Sequence, residues 1–574
     1  MTLGIIIAYL CLLLVLGVIS GRFLRRTAGD FFLASRGIGP FMLLMSIFGT
    51  TMTAFALIGS TGKAFEKGIG VYGLMASWSG IIHALVFFLV GAKIWAQGKK
   101  HGYVTQLSYF RDRYRSDALA LVLFPVVVTF VVIYILMGVI GAGKYLNKIT
   151  IETWKMEGER TAVAVEIDPA ALEVPPPLTG RLTYDEATKE LVVQGSIHPK
   201  YQGLILRANP QLAANSAFRG SLTQLFKKAP QGNLPYSAGM AIVCLVVLFY
   251  VFFGGMRATA WANTFQTLVF MVMGILAFVV ITKNLGGPEA ATQALLEHEE
   301  GAKRMAREGL IGKWQFLTYC FIPFSVGMFP HLFQHWLTAK KASNFKLTVV
   351  AHPICIMITW IPCILLGMWA AGKLPLETTA PNAVLGVMVG RYSTDVVAGL
   401  ISAGVLAAIM SSMDSQFLCL SGLFTNDIVR RYFGGDRFTD RQVVLLGRGF
   451  VVFMVAACYA IGLSFVQEHS VFDLGVWCFT GFASLFPVLL AALYWKRSNK
   501  YGAIAAVLTV AALWVWFLPG VIDKDPKEEF LLLEIGIMPV TVTFAASTLV
   551  LVVVTLITPR PDPEIVSKFF PEKS

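Results

Sequence analysis

Charge is scarce in this sequence. Asp, Glu, Lys and Arg together make up 14% of its 574 residues, against 56% hydrophobic, whereas an ordinary globular domain carries about 25% charged residues. That shortage excludes a typical water-soluble domain. The eight cysteines (Cys11, Cys244, Cys320, Cys355, Cys363, Cys419, Cys458 and Cys478) all fall in apolar stretches and form no C-x-x-C pair, which argues against a disulfide framework or a zinc site. The formal net charge is +13, yet no contiguous basic stripe interleaved with aromatics exists, so nucleic acid is not the expected partner. A nucleophile or metal cluster suited to catalysis is also missing, and the chain is expected not to be an enzyme. The first apolar run, 3–19, lacks the basic n-region and A-x-A site of a signal peptide and reads as a retained helix.

Long apolar runs are what the chain has in plenty. Thirteen are long enough to span a bilayer: 3–19, 41–58, 71–95, 118–140, 238–253, 264–281, 316–337, 347–370, 396–420, 443–465, 471–494, 503–518 and 535–557. Hydrocarbon offers no water to backbone N–H and C=O groups, so such runs must be helices that satisfy themselves. The fold class expected is an all-α integral membrane protein. With the N-terminus outside, the internal loops collect the unbalanced positive charge: Arg22, Arg25 and Arg26; Lys99, Lys100, Arg111, Arg113 and Arg115; Arg257; Lys340, Lys341 and Lys346; Arg430 and Arg431; Lys496, Arg497 and Lys500. The positive-inside rule therefore places the C-terminal tail, 559–574, in the cytoplasm, and, no other address signal being visible, a bacterial cell (inner) membrane is the location expected. The outer loops 289–308 and 523–529 mix signs.

Four segments follow: helices in 1–144, a polar insertion in 145–236, further helices in 237–558, and the tail. The insertion is too long for a bare connection and is expected to be a small α+β extracytoplasmic domain. RLTYDEATKELVVQGSI reads as two alternating strands around a turn, RTAVAVEI has the same period, and 209–228 looks helical. A stabilising cap or a protein-contacting surface is the role expected of it.

Polar groups and helix breakers in mid-membrane mark where function sits. In the second run, MSIFGTTMTAFALIGSTG, Gly49, Thr50, Thr51 and Thr53 interrupt the apolar pattern. A helix unwound there would free backbone carbonyls and leave half-helix ends facing a cavity, as transporters do; the alternative is threonines bonding back to their own helix. In the ninth run, GVLAAIMSSMDSQFLCLSGLFTNDIVRR, Ser411, Ser412 and Ser415 share adjacent helix faces with Ala408. Oxygen ligands of this kind suit a hard cation such as sodium.

GGMRATAWANTFQ, from Gly254 to Gln266, resembles the G-G-[LM]-[KR]-A-x-x-W-x-D-x-x-Q segment of the sodium:solute symporter family. AAIMSSMDSQFL and LFTNDIVRR resemble that family's sodium-binding helix and its cytoplasmic end. The family includes transporters of proline, pantothenate, monocarboxylates, sialic acid and sugars. The resemblance spans nearly the whole chain outside the insertion. It implies a leucine-transporter-type core of ten helices in inverted repeat, with the first and sixth core helices broken. It also implies a sodium site made by the carbonyls of Gly49, Met52 and Ala408 and the hydroxyls of Ser411 and Ser412. Two positions depart from the pattern. Asn263 stands where many relatives carry Asp, a residue some of them associate with a second cation, and Asp414 stands where many carry a small or hydroxyl residue. Asn263, Asp414 and Ser415 are thus expected to meet at a second cation or proton site, the alternative being an Asp414–Arg448 pair.

Sugar-transporting members carry Gln where this chain has Ala56, which points away from hexoses. A half-helix N-terminus favours an anionic group, and Thr50, Thr51 and Thr53 are the candidate contacts for a carboxylate or amino-acid solute. Pro323, Gly327 and Pro330 would break the seventh run. His331 and His335, four apart, read as hydrogen-bonded histidines rather than metal ligands, no third ligand being evident. His83 reads either as a pathway residue or as one bonded to a neighbouring helix. The function expected is sodium-coupled symport of a small organic solute. The competing readings are a sensor on a transporter body, which would carry an appended signalling domain, and an uncoupled facilitator.

Overall fold

The computed structural model describes residues 1–22, 27–150, 160–165, 167–175, 178–179, 182–194, 201–214, 234–298, 300–376, 379–434, 437–464, 470–522 and 530–570. They fall into two compact units, Met1–Tyr145 with Met240–Ser574, and Leu146–Gly239.

In the larger unit the described residues include ten helices long and apolar enough to cross a membrane. These are α1 (Thr2–Arg22), α4 (Tyr72–His101), α6 (Asp117–Ile149), α9 (Tyr236–Asn284), α12 (Asn344–Ala370), α13 (Asp395–Tyr432), α14 (Asp440–Ser464), α15 (Val471–Tyr494), α16 (Lys500–Ile522) and α17 (Pro539–Ile557). Two bent pairs add two more: α2 (Pro40–Thr51) with α3 (Phe55–Lys67), at 60°, and α10 (Lys313–Gly327) with α11 (Pro330–Thr338), at 51°. Thus the second and seventh apolar runs are broken helices. Short helices α5 (Gln106–Tyr114) and α18 (Pro563–Phe569) complete the elements that bear on the site.

α9 accounts for the difference between twelve and the thirteen runs read from the sequence. At 49 residues it is more than twice what one crossing needs. It bends at Gly255 (φ 53°, ψ −151°), between the runs 238–253 and 264–281. A side chain at Gly255 would put its Cβ 2.7 Å from the Phe31 carbonyl oxygen, so both the positive φ and the close approach demand glycine. Arg257, just past the bend, reaches Asp30 Oδ1 at 2.7 Å.

The second crossing runs on to Lys67 rather than ending at 58, because its polar outer turn satisfies itself. Ser60 and Thr61 donate to the Ala56 and Leu57 carbonyls, and the Lys63 ammonium lies 3.6 Å from Glu66 and over the Phe472 ring. α13 and α15 sit centrally, with 83% and 89% of their apolar windows buried, while α16 and α17 are peripheral at 28% each. The basic loops gather on one face. Arg111 meets Asp427, Arg431 meets Asp117 and Arg115 meets Asp562, at 3.3, 2.9 and 2.7 Å. Arg25, Arg26 and the loop 523–529 lie outside the described residues.

The smaller unit holds an antiparallel sheet in the order β1 (Arg160–Ala164), β3 (Glu190–Gln194), β2 (Leu182–Asp185), followed by α7 (Tyr201–Ala208) and α8 (Pro210–Ala213). Alternation puts Val163, Leu182, Leu191 and Val193 on one face, where Ile205 of α7 and Leu212 of α8 close a core. Of the helix expected over 209–228, only the first turn is described. Residues 215–228 lie outside the described set.

Candidate ion-binding site

The break between α2 and α3 falls at Met52, whose backbone is extended (φ −89°, ψ 108°) and whose N–H still reaches the Phe48 carbonyl at 3.0 Å. Thr53 accepts the Phe55 N–H at 3.0 Å, capping the second half-helix. Gly49 lies one turn before the break. Its carbonyl accepts the Ser411 hydroxyl at 2.8 Å, and the same hydroxyl lies 3.0 Å from the Ala408 carbonyl. Two carbonyls and a hydroxyl from two helices thus converge within the buried centre of the unit.

Only glycine fits at 49. A Cβ there would strike Thr267 Oγ1 of α9, which itself donates to the Met45 carbonyl at 3.0 Å. Met52 is placed at the break, whereas Ser412 turns its hydroxyl to the Ile409 carbonyl of its own helix at 2.9 Å. Of the five sodium ligands carried over by resemblance, Gly49, Ala408 and Ser411 meet directly. The donors are hard oxygens and fit an alkali cation rather than a transition metal.

Asn263, Asp414 and Ser415 form a second cluster. Asn263 Nδ2 donates to Ser415 Oγ at 2.9 Å, and Ser415 donates to Asp414 Oδ1 at 3.0 Å. Tyr250 donates to Asp414 Oδ2 at 3.1 Å, while the Arg448 guanidinium reaches the Phe253 carbonyl at 3.4 Å. His335 extends the chain. Its Nε2 lies 3.1 Å from Ser415 Oγ and its Nδ1 3.0 Å from Ser46 Oγ. Ser415 has one hydrogen, which goes to the carboxylate, so His335 donates from Nε2 and accepts from Ser46 at Nδ1. The file Ser46–His335–Ser415–Asp414–Tyr250 joins α2, α11, α13 and α9. Asn263 Oδ1 is buried without a hydrogen-bond partner.

The three threonines do not converge. Thr50 is fully buried with its hydroxyl unpartnered, Thr51 bonds the Phe48 carbonyl at 2.8 Å and lies 3.3 Å from His352 Nε2, and Thr53 is the cap. His83 packs ring to ring with His352 at 5.3 Å.

At the second break His331 follows Pro330, stacked on Phe329 at 5.2 Å and edge-on to Tyr134 at 5.5 Å. Both of its ring nitrogens are buried without a partner. His335 is hydrogen-bonded as the sequence suggests, and His331 is not. Among the described residues no group of three or more His, Cys, Asp or Glu could hold a metal. Ser46, Tyr134 and Tyr250 escaped the sequence reading. Ser46 had one usable signal, its place one turn before Gly49 on the same helix.

A family model, the sodium:solute symporter family, matches residues 31–155 and 223–509. The chain belongs to the sodium:solute symporter family. The match leaves out most of the smaller unit. The osmoregulated proline transporter OpuE of Bacillus subtilis (strain 168) is 25% identical over 340 residues, 57% of this chain and 64% of that protein. The chain therefore spans just under two thirds of that relative's length. A sodium/proline symporter of Staphylococcus aureus is 27% identical over 377 residues, 62% of this chain and 69% of that one. In fold, the chain is similar to a Na+-coupled sialic acid symporter solved in a substrate-bound outward-open state. The TM-score is 0.68, with 14% identity and 98% of both chains covered. This multi-pass membrane protein thus has the fold of that symporter, of the leucine-transporter type.

Proposed function

We propose that this member of the symporter family couples inward movement of sodium to import of a small organic solute, a carboxylate or amino acid. One observation carries the reading: the Gly49 carbonyl of the broken helix and the Ser411 hydroxyl and Ala408 carbonyl of α13 share one spot in the membrane interior. To receive a cation there, Ser411 must turn its hydrogen away from Gly49 and offer a lone pair. The Met52 carbonyl at the break and the Ser412 hydroxyl, after a rotamer change, complete five oxygens. Because these ligands come from two helices, the cation holds α2 against α13 and favours the conformer in which the solute site is complete. Solute and sodium then each raise the other's affinity by linkage, and rocking of one helix group against another exposes both to the far side.

The names of the two proline-transporting relatives place proline first among solutes to try. The basic face is the cytoplasmic one in this reading, with the N-terminus and the smaller unit outside. Asn263, Asp414 and Ser415 serve as a second cation or proton site, since a carboxylate held by two hydroxyls deep in the bundle has charge to offset when a cation arrives.

The test is uptake into proteoliposomes of proline, other amino acids, carboxylates and sugars, with and without an inward sodium gradient. Accumulation against the solute gradient only with sodium, lost in Ser411→Ala/Ser412→Ala, is the expected result. Equal uptake without sodium would make the protein a facilitator. Asp414→Asn should change the pH dependence or sodium stoichiometry of uptake, and no change in either would remove the second site.

A further inference from the structure

A cavity of about 300 Å³ opens on the basic face, away from the transport site, between α5, the start of α16 and the segment that follows α17. Its wall is unusual in charge. Arg113, Arg115, Lys500 and Arg560 line it, with one acidic residue, Asp562, which is taken up by Arg115 at 2.7 Å. Three cationic groups remain with no acidic partner among the described residues.

Arg113 is the decisive one. Its side chain is fully buried. Nε donates to the Ala492 carbonyl at 2.8 Å and Nη2 to the Trp495 carbonyl at 3.1 Å, which fixes the fork in place. Nη1 has no hydrogen-bond partner at all. A buried guanidinium nitrogen left unpaired beside a polar cavity is costly unless an acceptor comes to it. The N-terminus of the 23-residue helix α16 adds its partial positive charge at the same wall. There Asn499 accepts the Gly502 N–H at 3.0 Å and holds the post-α17 segment through donation to the Pro559 carbonyl at 2.9 Å. A fixed planar donor, two exposed cations and a helix N-terminus around one cavity make a receptor for a tetrahedral oxyanion.

We infer that this cavity binds a phosphate-bearing anion, either the headgroup of an anionic phospholipid or a soluble phosphate. The surroundings favour the lipid. Leu556 and Ile557, at the end of α17 and just before the cavity's Pro559, are 52% and 78% exposed and offer an apolar bed for acyl chains. On the cytoplasmic side of a membrane, juxtamembrane cations of this kind recognise anionic headgroups. The bound anion would join α5, α16 and the tail. α5 in turn reaches the second helix break, through Gln106 Nε2 donating to the Met328 carbonyl at 3.1 Å.

The experiment measures the thermal unfolding midpoint of the full chain, purified in detergent, with added phosphatidylglycerol, phosphatidylcholine or inorganic phosphate. Phosphatidylglycerol should raise the midpoint by about 3 °C over phosphatidylcholine. Lys500→Gln/Arg560→Gln should lose at least half of that rise. Both side chains sit at the cavity wall and neither holds the fold as Arg113 does, so this variant reports binding rather than misfolding. Lys340→Gln/Lys341→Gln, two exposed cations elsewhere on the same face, should keep the full rise. If inorganic phosphate alone reproduces a variant-sensitive rise, the ligand is a soluble phosphate; if only the lipid does, it is the headgroup. The inference is overturned if no phosphate-bearing anion raises the midpoint, if the cavity variant responds as the unmodified chain does, or if the control variant loses as much as the cavity variant.

Discussion

The two broken helices have nearly the same geometry and opposite chemistry. The first, bent by 60° at Met52, turns the Gly49 carbonyl toward the Ser411 hydroxyl of α13. The second, bent by 51° before Pro330, presents His331 amid Tyr134 and Phe329, with Phe479 and Phe482 packed behind at 5.5 and 5.1 Å from Phe329. Breaking a helix only frees groups; the side chains around the break decide what they can hold. Small residues at the first (Ala408 and Ser411 on α13, with Gly49 leaving room for Thr267 of α9) let oxygens from two helices meet. Large rings surround the second and leave an imidazole with two unused nitrogens. The proposed mechanism places the ion at the first break; the two unused nitrogens of His331 make the second a proposed contact for the solute, in place of the threonines that do not converge.

Four substitutions sharpen or break that contrast. Gly49→Ala should have the largest effect, a fall of more than about tenfold in sodium-driven uptake, since its Cβ would strike Thr267 and overpacking of this kind costs about 1–3 kcal/mol. Adding Thr267→Ala removes the struck atom and should restore part of the rate. Ser411→Ala comes next. It should raise the sodium concentration for half-maximal uptake about tenfold, the equivalent of about 1.4 kcal/mol, while the solute's half-saturation at saturating sodium stays put. His331→Phe keeps the ring stacking and deletes both nitrogens. It should raise the solute's half-saturation about fivefold, one hydrogen bond's worth, without moving the sodium value. Ser412→Ala should be the mildest, under about threefold on sodium, because that hydroxyl already has the Ile409 carbonyl for company. Should His331→Phe shift sodium and Ser411→Ala shift solute, the two breaks would not divide the work.

The first break was legible because its signals are local: Gly49 and three threonines interrupt an apolar run within five residues, and Ser411, Ser412 and Ser415 repeat at helical spacing. The strands of the smaller unit were legible for the same reason, alternation over short stretches such as Glu190–Gln194. What failed was long-range or self-satisfying. Nothing at Tyr250 announces that it will donate to a carboxylate 164 positions later, or at Ser46 that it will meet a histidine 289 positions on. Hydropathy ended the second crossing at 58, since Ser60, Thr61 and Lys63 look like loop residues until their hydrogen bonds are seen. The helix Tyr201–Ala208 was passed over because its apolar face, Leu204 aside, reduces to a few residues such as Ile205 that pack on the sheet.

The file from Ser46 to Tyr250 also has a sense of direction. Each hydroxyl along it owns a single hydrogen, so the bonds all lean toward Asp414 like dominoes set one way. Were that carboxylate to take up a proton or receive a positive ion, Ser415 would be released to turn its hydrogen to the Ser411 carbonyl, 3.5 Å away. News of a charge arriving at Asp414 would then be delivered, without any helix moving, to the residue whose hydroxyl meets the Gly49 carbonyl.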